Sequence, residues 1–243
     1  MEGEFCDVLV DVLAPTPRRA AMETRAKELR GRPALTGDEL LFRTRTGRAG
    51  CPGVWGHYYR GPVNVCVFLS ASDLDVRYTG PARRFAELLG EAGHTLVWGG
   101  SDTGLMKVVA DGVSGAGGRL SGVSVDFLAA KARPVSAPDE MVVTRSLAER
   151  KATLMAQADA FVIMVGGMGT LDEATEILEL KKHGRTGKPV VLLNTAGFYD
   201  GLREQLHRMQ EEGFLPLPLA ELVFIADEPA DALAFLEHTV TST

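Results

Sequence analysis

The sequence predicts a three-layer α/β fold, a parallel sheet with helices on both faces, behind an amino-terminal extension. Three observations predict it. From Val63 onward short apolar runs alternate with amphipathic stretches, as successive βα units do when both faces of a parallel sheet are covered. Two of those runs, one ending at Trp98 and one at Val165, pass directly into glycine turns and then into helical text, which is a Rossmann-like junction. With 243 residues and 45% hydrophobic composition the chain can bury a substantial core, and its length suits one α/β domain with an appendage.

Taken in order, the first 60 residues are rich in arginine and proline. They carry one amphipathic stretch from Arg18 to Arg30, followed by a polar, glycine-bearing segment, and are expected to form an extension over residues 1–61. The aromatic cluster Trp55, His57, Tyr58 and Tyr59 closes it, either anchoring the segment or folding over a ligand crevice. Residues 62–243 are expected to form the main domain. Its strands are placed at Val63 to Leu69, His94 to Trp98, Arg119 to Ser124, Glu140 to Val143, Ala160 to Val165, Pro189 to Asn194 and Leu222 to Ile225. Helices fill most of the gaps. Phe85, Leu88 and Leu89 recur at helical spacing before Gly90, and Leu202, Leu206 and Met209 before Gly213, so both segments are expected to face the core. No internal repeat or low-complexity tract is visible.

Composition removes several classes of function. A net charge of -6 argues against coating a nucleic acid polymer, which calls for a basic face, but leaves room for one small anionic ligand. Cys6, Cys51 and Cys66 are odd in number and form no CxxC pair, and the five histidines never fall at metal-ligand spacing, so no metal is expected. No apolar run approaches the roughly 20 residues that span a bilayer. The start lacks the basic n-region of a secretory signal, and a reducing cytoplasm is the expected setting.

The most informative segment is Phe161 to Leu178. An apolar run, Phe161-Val162-Ile163-Met164-Val165, is followed by Gly166-Gly167-Met168-Gly169-Thr170 and then by the helical text Leu171-Asp172-Glu173-Ala174-Thr175-Glu176-Ile177-Leu178. Beyond the carboxyl end of such a strand, backbone N–H groups and the helix dipole favour an anion, and glycines let it approach. The spacing matches neither a P-loop nor GxGxxG, because no Lys-Ser/Thr pair follows and Asp172 stands where the last glycine would be. A blander reading is available: Thr170 three residues before Glu173 has the form of a capping box. Glu173 and Glu176, however, share one helix face at the end where the anion is expected. Carboxylates beside a phosphate suit chemistry on a sugar, where breaking a glycosidic bond develops oxocarbenium charge and a carboxylate stabilises it.

Two further segments belong to this picture. Glu149-Arg150-Lys151 opens a helix running through Leu154 and Met155 toward Ala158, either as an ordinary charged helix start or with Arg150 as a clamp for phosphate or hydroxyls. Trp98-Gly99-Gly100-Ser101-Asp102-Thr103-Gly104-Leu105-Met106 is a second strand, glycine turn and helix, so two turns would bracket one ligand.

Together these segments resemble the LONELY GUY family of nucleoside 5′-monophosphate phosphoribohydrolases, over roughly Val63 to Glu237. The family's PGGxGTxxE appears as Val165-Gly166-Gly167-Met168-Gly169-Thr170-Leu171-Asp172-Glu173, lacking only the proline, and Glu176 also agrees. Its ERKAxM-like helix appears as Glu149-Arg150-Lys151-Ala152-Thr153-Leu154, and its GGGxxGLM turn as Gly99 to Met106. Lys188-Pro189, Asn194, Gly197-Phe198-Tyr199-Asp200-Gly201 and Glu212-Gly213-Phe214 also match. The resemblance implies cleavage of the N-glycosidic bond of a nucleoside 5′-monophosphate to free base and ribose 5-phosphate, with no cofactor, in a homodimer without membrane or nucleic acid partners. It implies Arg150 and Glu173 as the catalytic pair, Gly166, Gly167, Gly169 and Thr170 as the phosphate cradle, and Ser72, Gly100, Lys151 and Glu176 as further substrate contacts.

The departures fall at the entrance. The family's FCGSS reads Phe68-Leu69-Ser70-Ala71-Ser72, and its third turn glycine is Ser101, so adenine, modified adenine and cytosine all remain open as the base. The rival reading is a binding module that holds a nucleotide or cofactor and cuts nothing. Retention of Arg150 and Glu173 speaks against it, because a carboxylate facing a phosphate-bearing sugar costs affinity. A lysine decarboxylase fits less well, since no lysine is singled out for a pyridoxal phosphate Schiff base.

Overall fold

The computed structural model describes residues 61–129 and 139–240. The expected extension over 1–61, with its Arg18 to Arg30 stretch and aromatic cluster, lies outside the described residues except for Gly61. The described residues build an all-parallel seven-stranded sheet. Its strands are β1 (Asn64–Phe68), β2 (Thr95–Trp98), β3 (Arg119–Val125), β4 (Glu140–Thr144), β5 (Ala160–Ile163), β6 (Val190–Leu193) and β7 (Phe224–Ala226). Each coincides with an apolar run in the sequence. Between them lie α1 (Val76–Glu91), α2 (Gly104–Gly115), the short α3 (Asp126–Ala129), α4 (Leu147–Gln157), α5 (Met168–Lys182), α6 (Asp200–Glu211), α7 (Leu219–Leu222) and α8 (Pro229–Val240).

The spatial order is β4-β3-β2-β1-β5-β6-β7. The chain therefore works outward from β1 to one edge, returns to pair β5 against β1, and works outward again. Where the direction reverses, the loops leaving β1 and β5 part to opposite faces and open a crevice, the usual ligand position in such sheets.

Alternate residues of the central strands feed two cores, as period-2 side chains must when both faces are covered. Val65, Val67, Val162, Met164, Val191 and Leu193 face one way, with Phe85 and Leu89 of α1 and Leu105, Val109 and Val113 of α2. Cys66, Phe68, Phe161, Ile163, Val190 and Leu192 face the other, with Leu154 and Met155 of α4 and Ala174 and Ile177 of α5. Phe68 and Phe161 stack there at 5.8 Å. Helix α6 faces the second core as expected, with Leu202 and Leu206 packed against it, although none of its residues is fully buried.

Helices α1 and α2 pack almost backbone to backbone, since a Cβ on Gly112 would sit 2.8 Å from the Ala86 methyl. At the head of α2, Gly104 adopts a left-handed φ of 55°, and a Cβ there would run into the Ala71 and Ser72 carbonyls. The β1–α1 and β2–α2 loops are thereby pressed together, with Leu105 N–H donating to the Ser72 carbonyl at 3.1 Å and the Thr103 hydroxyl to that of Ala71 at 3.2 Å.

Candidate active site

Helix α5 begins earlier than the capping box implied. Gly167 is its N-cap, Met168 its first residue, and no side chain caps it. Thr170 thus lies inside the helix, 4% exposed, with its side chain folded back where a Cβ on Gly166 would collide with it. The capping box is not formed, and Glu173 is free of it. Leu171 N–H is the first to bond back, to the Gly167 carbonyl at 3.0 Å, which leaves the N–H groups of the opening turn without an intrahelical acceptor. With a helix dipole behind them, free N–H groups at the carboxyl end of a strand favour a negative charge.

Arg150, on the first turn of α4, reaches Glu173, on the second turn of α5. Its Nη1 donates to Glu173 Oε1 at 3.2 Å and its Nε to the Val123 carbonyl of β3 at 2.9 Å. Both side chains are 12% exposed. The remaining edge of the guanidinium lies against Gly99, where a Cβ would collide with Nη2. Two strands, β2 and β3, and the neighbouring helix α5 therefore fix one planar cation. Burial pushes the Glu173 carboxyl above the ordinary glutamate value, and the Arg150 charge opposes that shift. Cys66 of β1 lies fully buried in the second core, its thiol pushed up first by burial and then by the Glu173 charge.

A second ion-pair cluster ties the same two helices. Lys151 Nζ meets Asp172 Oδ2 at 2.8 Å and Glu176 Oε2 at 2.6 Å. These bonds, Asp172 first and then Glu176, raise the lysine pKa. Helix α4 buries only Leu154 and Met155, and polar bonds hold it elsewhere. Ser146 accepts from Glu149 N–H at 3.1 Å to cap its start. Near its end, Lys188 Nζ donates to the Met155 carbonyl at 2.9 Å and Asn64 Nδ2 to that of Gln157 at 3.1 Å.

Of the residues named from the sequence, Arg150 and Glu173 are thus brought into contact, as are Lys151 and Glu176, while Gly166, Gly167, Gly169 and Thr170 form the turn opening α5. Gly100 follows Gly99 beyond β2, and Met141 of β4 packs against it, 3.0 Å from where a Cβ would be. Ser72 spends its backbone on the loop contact with Leu105 and on a bond from its N–H to Ser70 Oγ at 3.0 Å. Nothing draws Ser72 toward the Arg150 and Glu173 pair.

Sequence reasoning missed three neighbours. Asp172 shares Lys151, twenty-one residues away, a separation with no periodic signal. Gly99 abuts Arg150. Tyr199, 3% exposed, donates its hydroxyl to the Met164 carbonyl at 2.7 Å, just ahead of the glycine turn. The turn delivering it holds Ala196 at φ 53° and Gly197 at φ 69°; a left-handed alanine costs about 1–2 kcal/mol. Asn194 stabilises the turn, accepting from Tyr199 N–H at 2.7 Å and donating from Nδ2 to Asp200 Oδ1 at 2.9 Å. Among the described residues no group of three or more His, Cys, Asp or Glu could hold a metal ion, and no helix is long and apolar enough to cross a membrane.

Comparison with known proteins gives a consistent picture. A family model described as "Possible lysine decarboxylase" matches residues 106–236. A probable cytokinin riboside 5′-monophosphate phosphoribohydrolase of Oryza sativa subsp. japonica is 33% identical over 177 residues, 72% of this chain and 72% of that protein. A cytokinin riboside 5′-monophosphate phosphoribohydrolase of Mycobacterium tuberculosis is 31% identical over 71% of this chain and 92% of its own length. Among solved structures, the molybdenum cofactor binding protein from Rippkaea orientalis superposes with a TM-score of 0.57 at 21% identity, covering 74% of this chain and 98% of that one. That likeness is one of fold.

Proposed function

We propose, because this chain belongs to the LONELY GUY family, that it hydrolyses the N-glycosidic bond of a nucleoside 5′-monophosphate, releasing free base and ribose 5-phosphate. The observation that carries the proposal is the largely buried Arg150 and Glu173 pair standing beside an uncapped helix N-terminus. The relatives' names supply the substrate class, and the geometry supplies a division of labour that suits it.

In this reading the 5′-phosphate rests on the turn Gly166 to Thr170, held by backbone N–H groups and the α5 dipole. The ribose then lies over Glu173. As the C1′–N bond lengthens, positive charge spreads over C1′ and the ring oxygen, and the Glu173 carboxylate stabilises it. Water supplies hydroxide to C1′ and a proton to the departing base, so the products balance. Arg150 keeps Glu173 ionised and aimed, its own freedom removed by Val123, Glu173 and Gly99. Lys151 and Glu176 act on the substrate side of the same helix pair, and Ser72 and Gly100 line the entrance. The working unit is a cytoplasmic homodimer, and residues 62–243 are its hydrolase domain.

Decarboxylation through a lysine Schiff base is disfavoured by the amine that adjoins the pair. A Schiff-base lysine must shed its proton readily, whereas two carboxylates push the Lys151 pKa upward.

The test is chromatography of purified protein incubated with a panel of monophosphates, led by adenosine, N6-isopentenyladenosine and cytidine monophosphates. Base and ribose 5-phosphate are expected together, faster than from the unphosphorylated nucleosides and unchanged by chelator. An intact panel would overturn the proposal.

A further inference from the structure

Val165 stands where the family pattern PGGxGTxxE has proline. A proline ring fixes φ; valine does not. The residues flanking Val165 are nevertheless held on both sides. Toward β1, Met164 N–H donates to the Phe68 carbonyl at 2.9 Å and the Val165 carbonyl accepts from Ser70 N–H at 3.1 Å. Toward β6, the Tyr199 hydroxyl donates to the Met164 carbonyl at 2.7 Å. The tyrosine hydroxyl therefore holds the peptide group before Val165, and Ser70 N–H holds the one after it.

Tyr199 is itself built to stay in place. Its N–H is held by Asn194 Oδ1, and Asn194 N–H donates to the Ala226 carbonyl at 2.8 Å, tying the turn to β7. The Phe198 ring meets Tyr199 edge-on at 4.8 Å and Tyr78 of α1 at 5.8 Å, bracing the segment from the side of α1. Such a network over-determines the backbone around Ala196, the condition under which a left-handed alanine persists.

We infer that Tyr199 is a positioning residue for the phosphate end of the site, its hydroxyl fixing the Met164–Val165 peptide from which the glycine turn departs. This rests on the reading of Gly166 to Thr170 as the 5′-phosphate cradle. Tyr199 touches no substrate; it acts through the shape of the turn. A loosened turn weakens the grip on phosphate while Arg150 and Glu173, anchored on α4, β3 and α5, keep their geometry.

The test compares wild type, Tyr199→Phe and the double variant Tyr199→Phe/Val165→Pro. With monophosphate, Tyr199→Phe is expected to raise KM about tenfold with kcat within about twofold, the loss of one uniform binding interaction. The preference for monophosphate over the parent nucleoside should fall by the same factor. Proline at 165 should restore most of the lost KM by supplying the missing restraint. Backbone amide exchange across Gly166 to Leu171, followed by mass spectrometry without substrate, should quicken in Tyr199→Phe. A lowered melting temperature with KM, preference and exchange all unchanged would overturn the inference and leave Tyr199 a packing residue. If wild type showed no preference for the phosphate, the cradle reading would fail; quickened exchange would then still establish the clamp, and unchanged exchange would remove it.

Discussion

Helices α1 and α2 cover one face of the sheet with apolar side chains, Ala82, Phe85, Ala86 and Leu89 from the first and Leu105, Val109, Ala110 and Val113 from the second. Helices α4 and α5 cover the other with far less, Leu154 and Met155 from one and Thr170, Ala174 and Ile177 from the other. The second pair is joined by Arg150 to Glu173 and by Lys151 to Asp172 and Glu176. Apolar contact is undirected and tolerates small shifts, whereas a guanidinium held at three edges fixes direction. One layer therefore carries stability and the other carries geometry. Stability and activity should separate by layer when each is mutated.

The largest expected effect is in the polar layer. Glu173→Gln should lower kcat about a thousandfold, about 4 kcal/mol of transition-state stabilisation, with KM changed little; single-turnover kinetics would measure it. Activity within tenfold of wild type would assign the charge stabilisation elsewhere. Next, in the apolar layer, Phe85→Ala should cost about 3–5 kcal/mol by denaturant titration while the folded fraction keeps its kcat, because Phe85 is fully buried in the first core rather than the one beneath α4 and α5. Were kcat to fall in parallel, the two layers would not be independent.

Subtler is Gly99→Ala, which places a methyl against the Arg150 guanidinium. It should lower kcat about tenfold or more with little loss of stability, since a displacement near 1 Å at a reacting centre is costly. Lys151→Met should cost under about 1 kcal/mol in stability, because Asp172 is largely exposed and Glu176 partly so, yet lower kcat severalfold by loosening α5. The smallest effect is a pH trend. Glu173 has a raised pKa in the fold, so its favourable contribution is present at low pH and is lost as pH rises through the folded value. The melting temperature of Glu173→Gln relative to wild type should therefore climb from acid toward neutral pH. A flat difference would mean that Arg150 fully offsets the burial.

The strands were legible because apolar runs bounded by glycine leave little alternative to a buried parallel sheet, and β1 through β7 coincide with the runs beginning at Val63, His94, Arg119, Glu140, Ala160, Pro189 and Leu222. The start of α5 was not, because Thr170 and Glu173 have the spacing of a capping box while Met168 and Gly169 are unremarkable helix openers. Packing decided it: Thr170 closes against Gly166, and the helix takes one more turn. That Arg150 meets Glu173 was reachable only through family resemblance, since the residues are twenty-three apart on different helices. Lys151 shared by two acids, and Tyr199 reaching back thirty-five residues to Met164, left no mark in composition or period.

The strand order has a consequence in time. β1 is central, yet its partner β5 begins past Asp159, whose side chain accepts from Asn64 N–H across ninety-five residues. Pairings of such long sequence separation close late in folding, after the local β1-α1-β2-α2 unit has formed. The crevice between β1 and β5 therefore does not exist in the early chain. Substitutions along the α1–α2 seam should slow folding, whereas those that loosen the crevice should chiefly hasten unfolding.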